Sequence, residues 1–160
     1  MWREITKTDE PQKAFFNARM HRLGLGPGSP IQMRSPDGKF TSVVGEILEV
    51  DAPRKLSHTL KFTAYDDPWC RVTYELRETA DGVEFTLTSE DVLPATKTAR
   101  DMARGGDFIV NTLKAIVENG QPPLGTRLLY VLFSLLGPLT PKKCRSENWP
   151  LEATGQGGER

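Results

Sequence analysis

The chain has 160 residues, which suits one domain with its own core and calls for no second one. Lys plus Arg and Asp plus Glu balance at 21 each, so no net field draws in nucleic acid, and Lys142, Lys143 and Arg145 are too few to form a basic arm. Cys70 and Cys144 lack the spacing of a zinc site or a disulfide framework, and two reduced thiols in a cytoplasmic protein are expected.

The first residues, MWREITKTDEPQ, are polar and charged where a signal peptide needs an apolar stretch. Residues 2–23 read as two short helical pieces. Trp2 and Ile5 mark the first. The second follows Asp9, with Pro11 in its first turn and Phe15, Phe16, Met20 and Leu23 on its apolar side. The loop GLGPGSP, residues 24–30, ends it.

From Ile31 to Val92 the period becomes alternating. Ile31 to Arg34 predicts a short strand, Ser35-Pro36-Asp37-Gly38 a turn, and Thr41 to Val50 a strand in which Gly45 marks an expected bulge. After the turn at Asp51 to Arg54, three strands alternate cleanly. Leu56, His58, Leu60 and Phe62 share one face of the first; Cys70, Val72, Tyr74 and Leu76 share one face of the second. The hairpin Ala80-Asp81-Gly82 leads to the third, where Val83, Phe85, Leu87 and Ser89 alternate with polar residues. One apolar and one polar face per strand predicts an antiparallel meander.

The stretch from Thr96 to Gly120 predicts a long amphipathic helix. Ile109, Leu113 and Ile116 recur at helical spacing, and Asn119-Gly120 followed by Pro122-Pro123 stops it. A one-sided sheet followed by a one-sided helix packs as an α+β layer, helix across sheet. Thr126 to Leu136 then reads as a second helix, apolar nearly all round, that must be buried on the body, in a homodimer or at a membrane surface; the first two are favoured, because it lacks a basic polar face. The apolar run Leu128 to Leu136 falls short of the ~20 residues that cross a bilayer, so no membrane span is expected.

The order of elements, with Gly45-Glu46-Ile47-Leu48-Glu49-Val50-Asp51-Ala52-Pro53-Arg54-Lys55-Leu56, Val72 to Leu76 and Leu113 to Gly120, resembles the Aha-type branch of the START-like (SRPBCC) superfamily, homologues of the heat-shock protein 90 ATPase activator. The resemblance covers residues 2–120 and implies the helix-grip fold, START- or birch-pollen-allergen-like: a curved antiparallel sheet wrapped on a long C-terminal helix, here with an extra apolar C-terminal helix. The implied organisation is a helix-grip domain over residues 1–123, an apolar extension over 124–151, packed on the body or on a dimer partner, and a disordered tail over 152–160. Relatives usually carry a strand before the first helix, whereas this sequence begins at that helix: either the strand is absent, which would leave a sheet edge unpaired, or the true start lies upstream of Met1. Many also carry Gly-Trp where this chain has Gly105-Gly106, which would enlarge the space beneath the helix.

The resemblance further implies an apolar cavity between sheet and helix and a small hydrophobic ligand. Strand parity puts His58, Tyr74 and Ser89 among the inward residues, although a lone His or Tyr on an apolar face is more often a core residue satisfied by a hydrogen bond. Phe62, Phe85, Phe108 and Leu113 are the expected walls, with His58 and Tyr74 orienting the ligand. Ser89, His58 and Asp91 have the residue types of a triad, but parity alone does not bring them together. His21 and His58 have no metal-ligand spacing, and neither a metal nor a cofactor is expected. Three functions follow: non-enzymatic ligand binding, chaperone-associated protein interaction, and a cyclase- or hydrolase-type enzyme using His58.

Overall fold

The computed structural model describes residues 1–152. A short helix α1 (Trp2–Thr6) precedes six strands: β1 (Arg19–Arg22), β2 (Pro30–Arg34), β3 (Thr41–Asp51), β4 (Lys55–Phe62), β5 (Cys70–Thr79) and β6 (Gly82–Glu90). Two helices follow, α2 (Lys97–Asn119) and α3 (Leu124–Leu136), and then three single 3-10 turns. The strands form one antiparallel sheet in chain order. The chain therefore has the expected α+β meander, with a long C-terminal helix and a further apolar helix beyond it.

The alternating strands pair as their turns require. His58 faces Val72, Leu56 faces Tyr74, and Tyr74 faces Leu87, so the apolar sets of β4, β5 and β6 lie on one side. Leu113 of α2 is 1% exposed in the core with Ile5, Ile47, Leu56 and Val72. Burying one such side chain contributes about 1.5–3 kcal/mol. The Thr96 hydroxyl caps α2 by accepting from the Ala99 N–H, and Gly120 ends it with a left-handed φ of 75°.

Two expectations need correction. The second helical piece, residues 11–22, is not a helix. Gln12 N–H donates to the Ala18 carbonyl at 2.7 Å, which closes a loop, and β1 follows it and pairs with β2. Phe16 and Asn17 sit at φ of 56° and 58°, a sign no right-handed helix allows. Secondly, the register of β3 shifts between Ile47 and Glu49 against β4 and between Thr41 and Val43 against β2, and not at Gly45. Gly45 instead permits a close approach: a Cβ there would lie 1.9 Å from the Thr59 carbonyl oxygen. Within this single chain α3 has no fully buried residue, and Leu124, Leu128 and Leu135 are each more than 70% exposed.

The chain after α3 returns to the sheet. Phe40 bridges Arg145, Ser146 N–H donates to the Lys39 carbonyl, and Gln32 Nε2 donates to the Trp149 and Pro150 carbonyls at 3.1 and 3.3 Å. Cys144 is buried by this return. Of the tail expected to be disordered, all but Glu152 lies outside the described residues.

Candidate functional site

A cavity of about 220 Å³ lies between the sheet and the first half of α2. The sheet supplies Met33, Val43, Leu60, Phe62 and Val72, and α2 supplies Met102, Gly105, Gly106 and Ile109. The loop that replaces the expected helix closes a third side with Gln12, Phe15, Phe16 and Ala18. Gly106 has no heavy atom within 4 Å of where its Cβ would stand, so the missing side chain at this point of α2 is part of the space. A wider groove of about 450 Å³ adjoins it, sharing Phe16, Ala18, Ser42, Phe62 and Asp101, and runs beneath Tyr130 and Phe133 of α3.

The polar centre of the cavity is a pair. His58 Nδ1 lies 2.8 Å from the Thr59 carbonyl, which can only accept, so Nδ1 carries the proton. Nε2 of the neutral ring is then an acceptor, and the Tyr74 hydroxyl, 3.3 Å away, donates to it. Burial lowers the His58 pKa, partly offset by the bond to the Thr59 carbonyl, and keeps the ring neutral. Burial likewise raises the Tyr74 pKa far above its usual value. The Tyr74 oxygen keeps acceptor capacity once its proton is committed. Gly45 supports the pair indirectly, because the Thr59 carbonyl that fixes the His58 tautomer occupies the space a side chain at 45 would take.

The six expected site residues divide evenly. His58, Phe62 and Tyr74 line the cavity. Phe85, Phe108 and Leu113 do not. Phe85 stacks behind Tyr74 with ring centroids 6.1 Å apart. Phe108 stacks on Phe16 at 4.5 Å and meets Tyr130 edge-on, tying the loop to α3. Leu113 lies in the packed core beyond the cavity. The residues that sequence reasoning missed, Gln12, Phe15, Met20, Met33 and Met102, come chiefly from the misread loop and from β2. Asn17, which tolerates a left-handed φ, was the available signal for that loop.

The Ser89, His58 and Asp91 set is not assembled. Both His58 nitrogens are engaged elsewhere, Ser89 is exposed on the edge strand, and Asp91 pairs with Arg71 at 3.3 Å. Among the described residues no group of three or more His, Cys, Asp or Glu side chains could hold a metal ion. No helix among them is long and apolar enough to cross a membrane.

The model of the family described as "Activator of Hsp90 ATPase homolog 1-like protein" matches residues 1–118. The chain belongs to that family. Among solved structures it is similar to an HSP90 activator from Plasmodium falciparum, with TM-score 0.54, 18% identity, and 76% of this chain and 86% of that one covered. It is also similar to Ms6760 from Mycobacterium smegmatis (TM-score 0.52, 22% identity, 72% and 80% covered). A third is CalU16 from Micromonospora echinospora (TM-score 0.51, 18% identity, 81% and 71% covered). At these identities the likeness establishes the helix-grip fold and nothing of a ligand. No curated protein matches the sequence.

Proposed function

We propose that this chain binds a small apolar molecule, without catalysis, in the cavity between the sheet and α2. The observation that supports the reading is the cavity itself: about 220 Å³, walled by side chains such as Met33, Leu60, Phe62 and Ile109, with one buried polar pair. An apolar cavity of about 150 Å³ accepts benzene, so this one suits a guest of about ten non-hydrogen atoms. His58 and Tyr74 orient the guest: the Tyr74 oxygen accepts from an O–H or N–H group, and the neutral imidazole offers no charge to a carboxylate. The protein works in the cytoplasm in this reading, with Cys70 and Cys144 as free, buried thiols.

Native mass spectrometry of protein purified from cells tests this reading. A retained small molecule is expected, and it should be lost in Gly106→Leu, whose side chain would enter the cavity. Repeated absence of such a molecule, together with no binding in a screen of lipids and small aromatics, would refute it.

A second reading, a chaperone-associated interaction module, draws support from the family and from the exposed leucines of α3. It predicts that a chaperone co-purifies and is lost when Leu128 and Leu135 are changed to Asp. A homodimer through the same helix predicts a smaller solution mass when residues 126–160 are removed. A cyclase- or hydrolase-type reaction at His58 has less support, because both ring nitrogens are committed within the fold.

A further inference from the structure

We propose that the outer face of β1 and β2, opposite the cavity, is a second site, which binds the phosphoryl group of a small molecule through Arg19, His21 and Arg34. Strand register sets Arg19 against Arg34 and His21 against Gln32, so the four share one face while Met20 and Met33 share the other. Directly opposed residues in an antiparallel pair hold their Cβ atoms about 5 Å apart, and opposed like charges destabilise the pair. Arg19 Nε and His21 Nε2 are buried, and neither meets an acceptor among the described residues. The partners of Arg34 are neutral: Gln32 Oε1 at 3.0 and 2.8 Å and the Trp149 carbonyl at 3.2 Å.

The surroundings of His21 are electropositive from each side. Arg19 stands on its own strand and Arg34 on β2, and among the described residues the C-terminal segment brings the Trp149 and Pro150 carbonyls, which accept from Gln32 and, at Trp149, also from Arg34. On β3 the residue opposite Gln32 is Val44; Glu46 lies beyond it, opposite Pro30, and has an interaction of its own. Burial, then Arg34 and Arg19, lower the His21 pKa. A buried donor without a partner costs stability, as does a facing arginine pair. One oxyanion relieves these penalties by accepting from Arg19, His21 and Arg34 together. Three donor groups suit the tetrahedral oxygens of a phosphoryl group better than the two of a carboxylate, and arginine forks match phosphate geometry. The site is on the opposite face from the cavity and stands apart from the apolar-ligand reading.

The test titrates inorganic phosphate into the full chain at constant ionic strength, with sodium chloride as the balancing salt. NMR follows the imidazole signals of the two histidines. Phosphate is expected to shift His21 saturably and raise its apparent pKa, leaving His58, buried on the other face, unmoved. Arg19→Gln is expected to weaken phosphate binding about tenfold or more. Its melting temperature without phosphate should hold or rise, because the facing arginine pair is gone. Two further arms separate sources of the same chemistry: a His21 shift with glycerol phosphate supports a soluble ester, and sedimentation with phosphatidic acid vesicles supports a lipid headgroup. No His21 response beyond that to chloride, phosphate binding undiminished in Arg19→Gln, or acetate as effective as phosphate would each overturn the proposal.

Discussion

Helices α2 and α3 are neighbours in the chain, and their compositions run opposite to their burial. α2 carries Arg, Asp, Lys and Glu over much of its surface yet buries Thr98, Thr112 and Leu113. α3 is mostly Leu, Val, Phe and Tyr, and buries none of its residues. A stripe placed against the apolar side of a sheet gains a packed partner. Bulk apolarity without a facing surface gains nothing. α3 is held to the body by the Tyr130 hydroxyl donating to the Lys13 carbonyl and by the edge of Phe108. Of its leucines, all but Leu129 are left on the surface.

The largest effect should separate the two helices most clearly. Leu113→Ala is expected to destabilise the fold by about 2–5 kcal/mol through a core cavity. Leu128→Ala should stay within about 0.5 kcal/mol. Urea denaturation of both variants checks this. A large, concentration-dependent loss in Leu128→Ala would break the comparison by showing that α3 is buried against a second copy.

Next come the hydroxyls beneath the two helices. Tyr74→Phe leaves His58 Nε2 buried without its donor and should cost about 1–3 kcal/mol. Tyr130→Phe removes a bond at a partly exposed site and should cost about 0.5–1.5 kcal/mol. Burial pushes the Tyr130 pKa up to about 12, and that of Tyr74 rises further. Absorbance titration should therefore show Tyr130 ionising before Tyr74.

The histidine beneath α2 adds a pH dependence that α3, with no histidine, cannot share. His58 has a lowered pKa in the folded state, so below about pH 6.5 the unfolded chain takes up a proton that the native ring resists. Its contribution is fully present above about pH 6.5 and is lost as pH falls, with a slope of up to about 1.4 kcal/mol per pH unit for one group. His21 is shifted the same way and adds its own share. His58→Gln should flatten the slope by the share of His58 alone, measured as stability against pH.

The smallest effects should be alike in both helices. Gly106→Ala in α2 and Gly125→Ala in α3 each place a Cβ where no heavy atom lies within 4 Å. Each should gain up to about 1 kcal/mol from helix propensity. Equal gains would show that local preference is the same in the two, and that packing alone distinguishes them.

The parts of the fold legible in the sequence are those with a sustained period. Leu56 to Phe62, Cys70 to Leu76 and Val83 to Ser89 fix which side faces inward, and the Thr96 cap and Gly120 stop bound α2. The same parity brought His58 and Tyr74 to one face. It could not tell that they bond to each other, because their contact depends on the pairing of β4 with β5. Residues 11–22 were illegible for a physical reason: β1 is four residues long, too short to display alternation, and its strand character comes from β2. That misreading carried through to the site, since the loop it hid forms one cavity wall. It also hid why Phe108 turns away from the cavity while its neighbour Ile109 lines it: Phe16 of the loop captures the Phe108 ring. Gly45 read as a bulge because a glycine in a strand has two common uses, and only the position of Thr59 decides between them.

The central claim is that the space between the sheet and α2 accepts an apolar guest. The most direct measurement is NMR of the methyl groups of Met33, Leu60, Met102 and Ile109 during titration with toluene, in the wild type and in Gly106→Leu. The account predicts saturable shifts at these four residues that vanish in the filled variant, with α3 methyls unmoved. Shifts confined to the leucines of α3, or none that saturate, would contradict it.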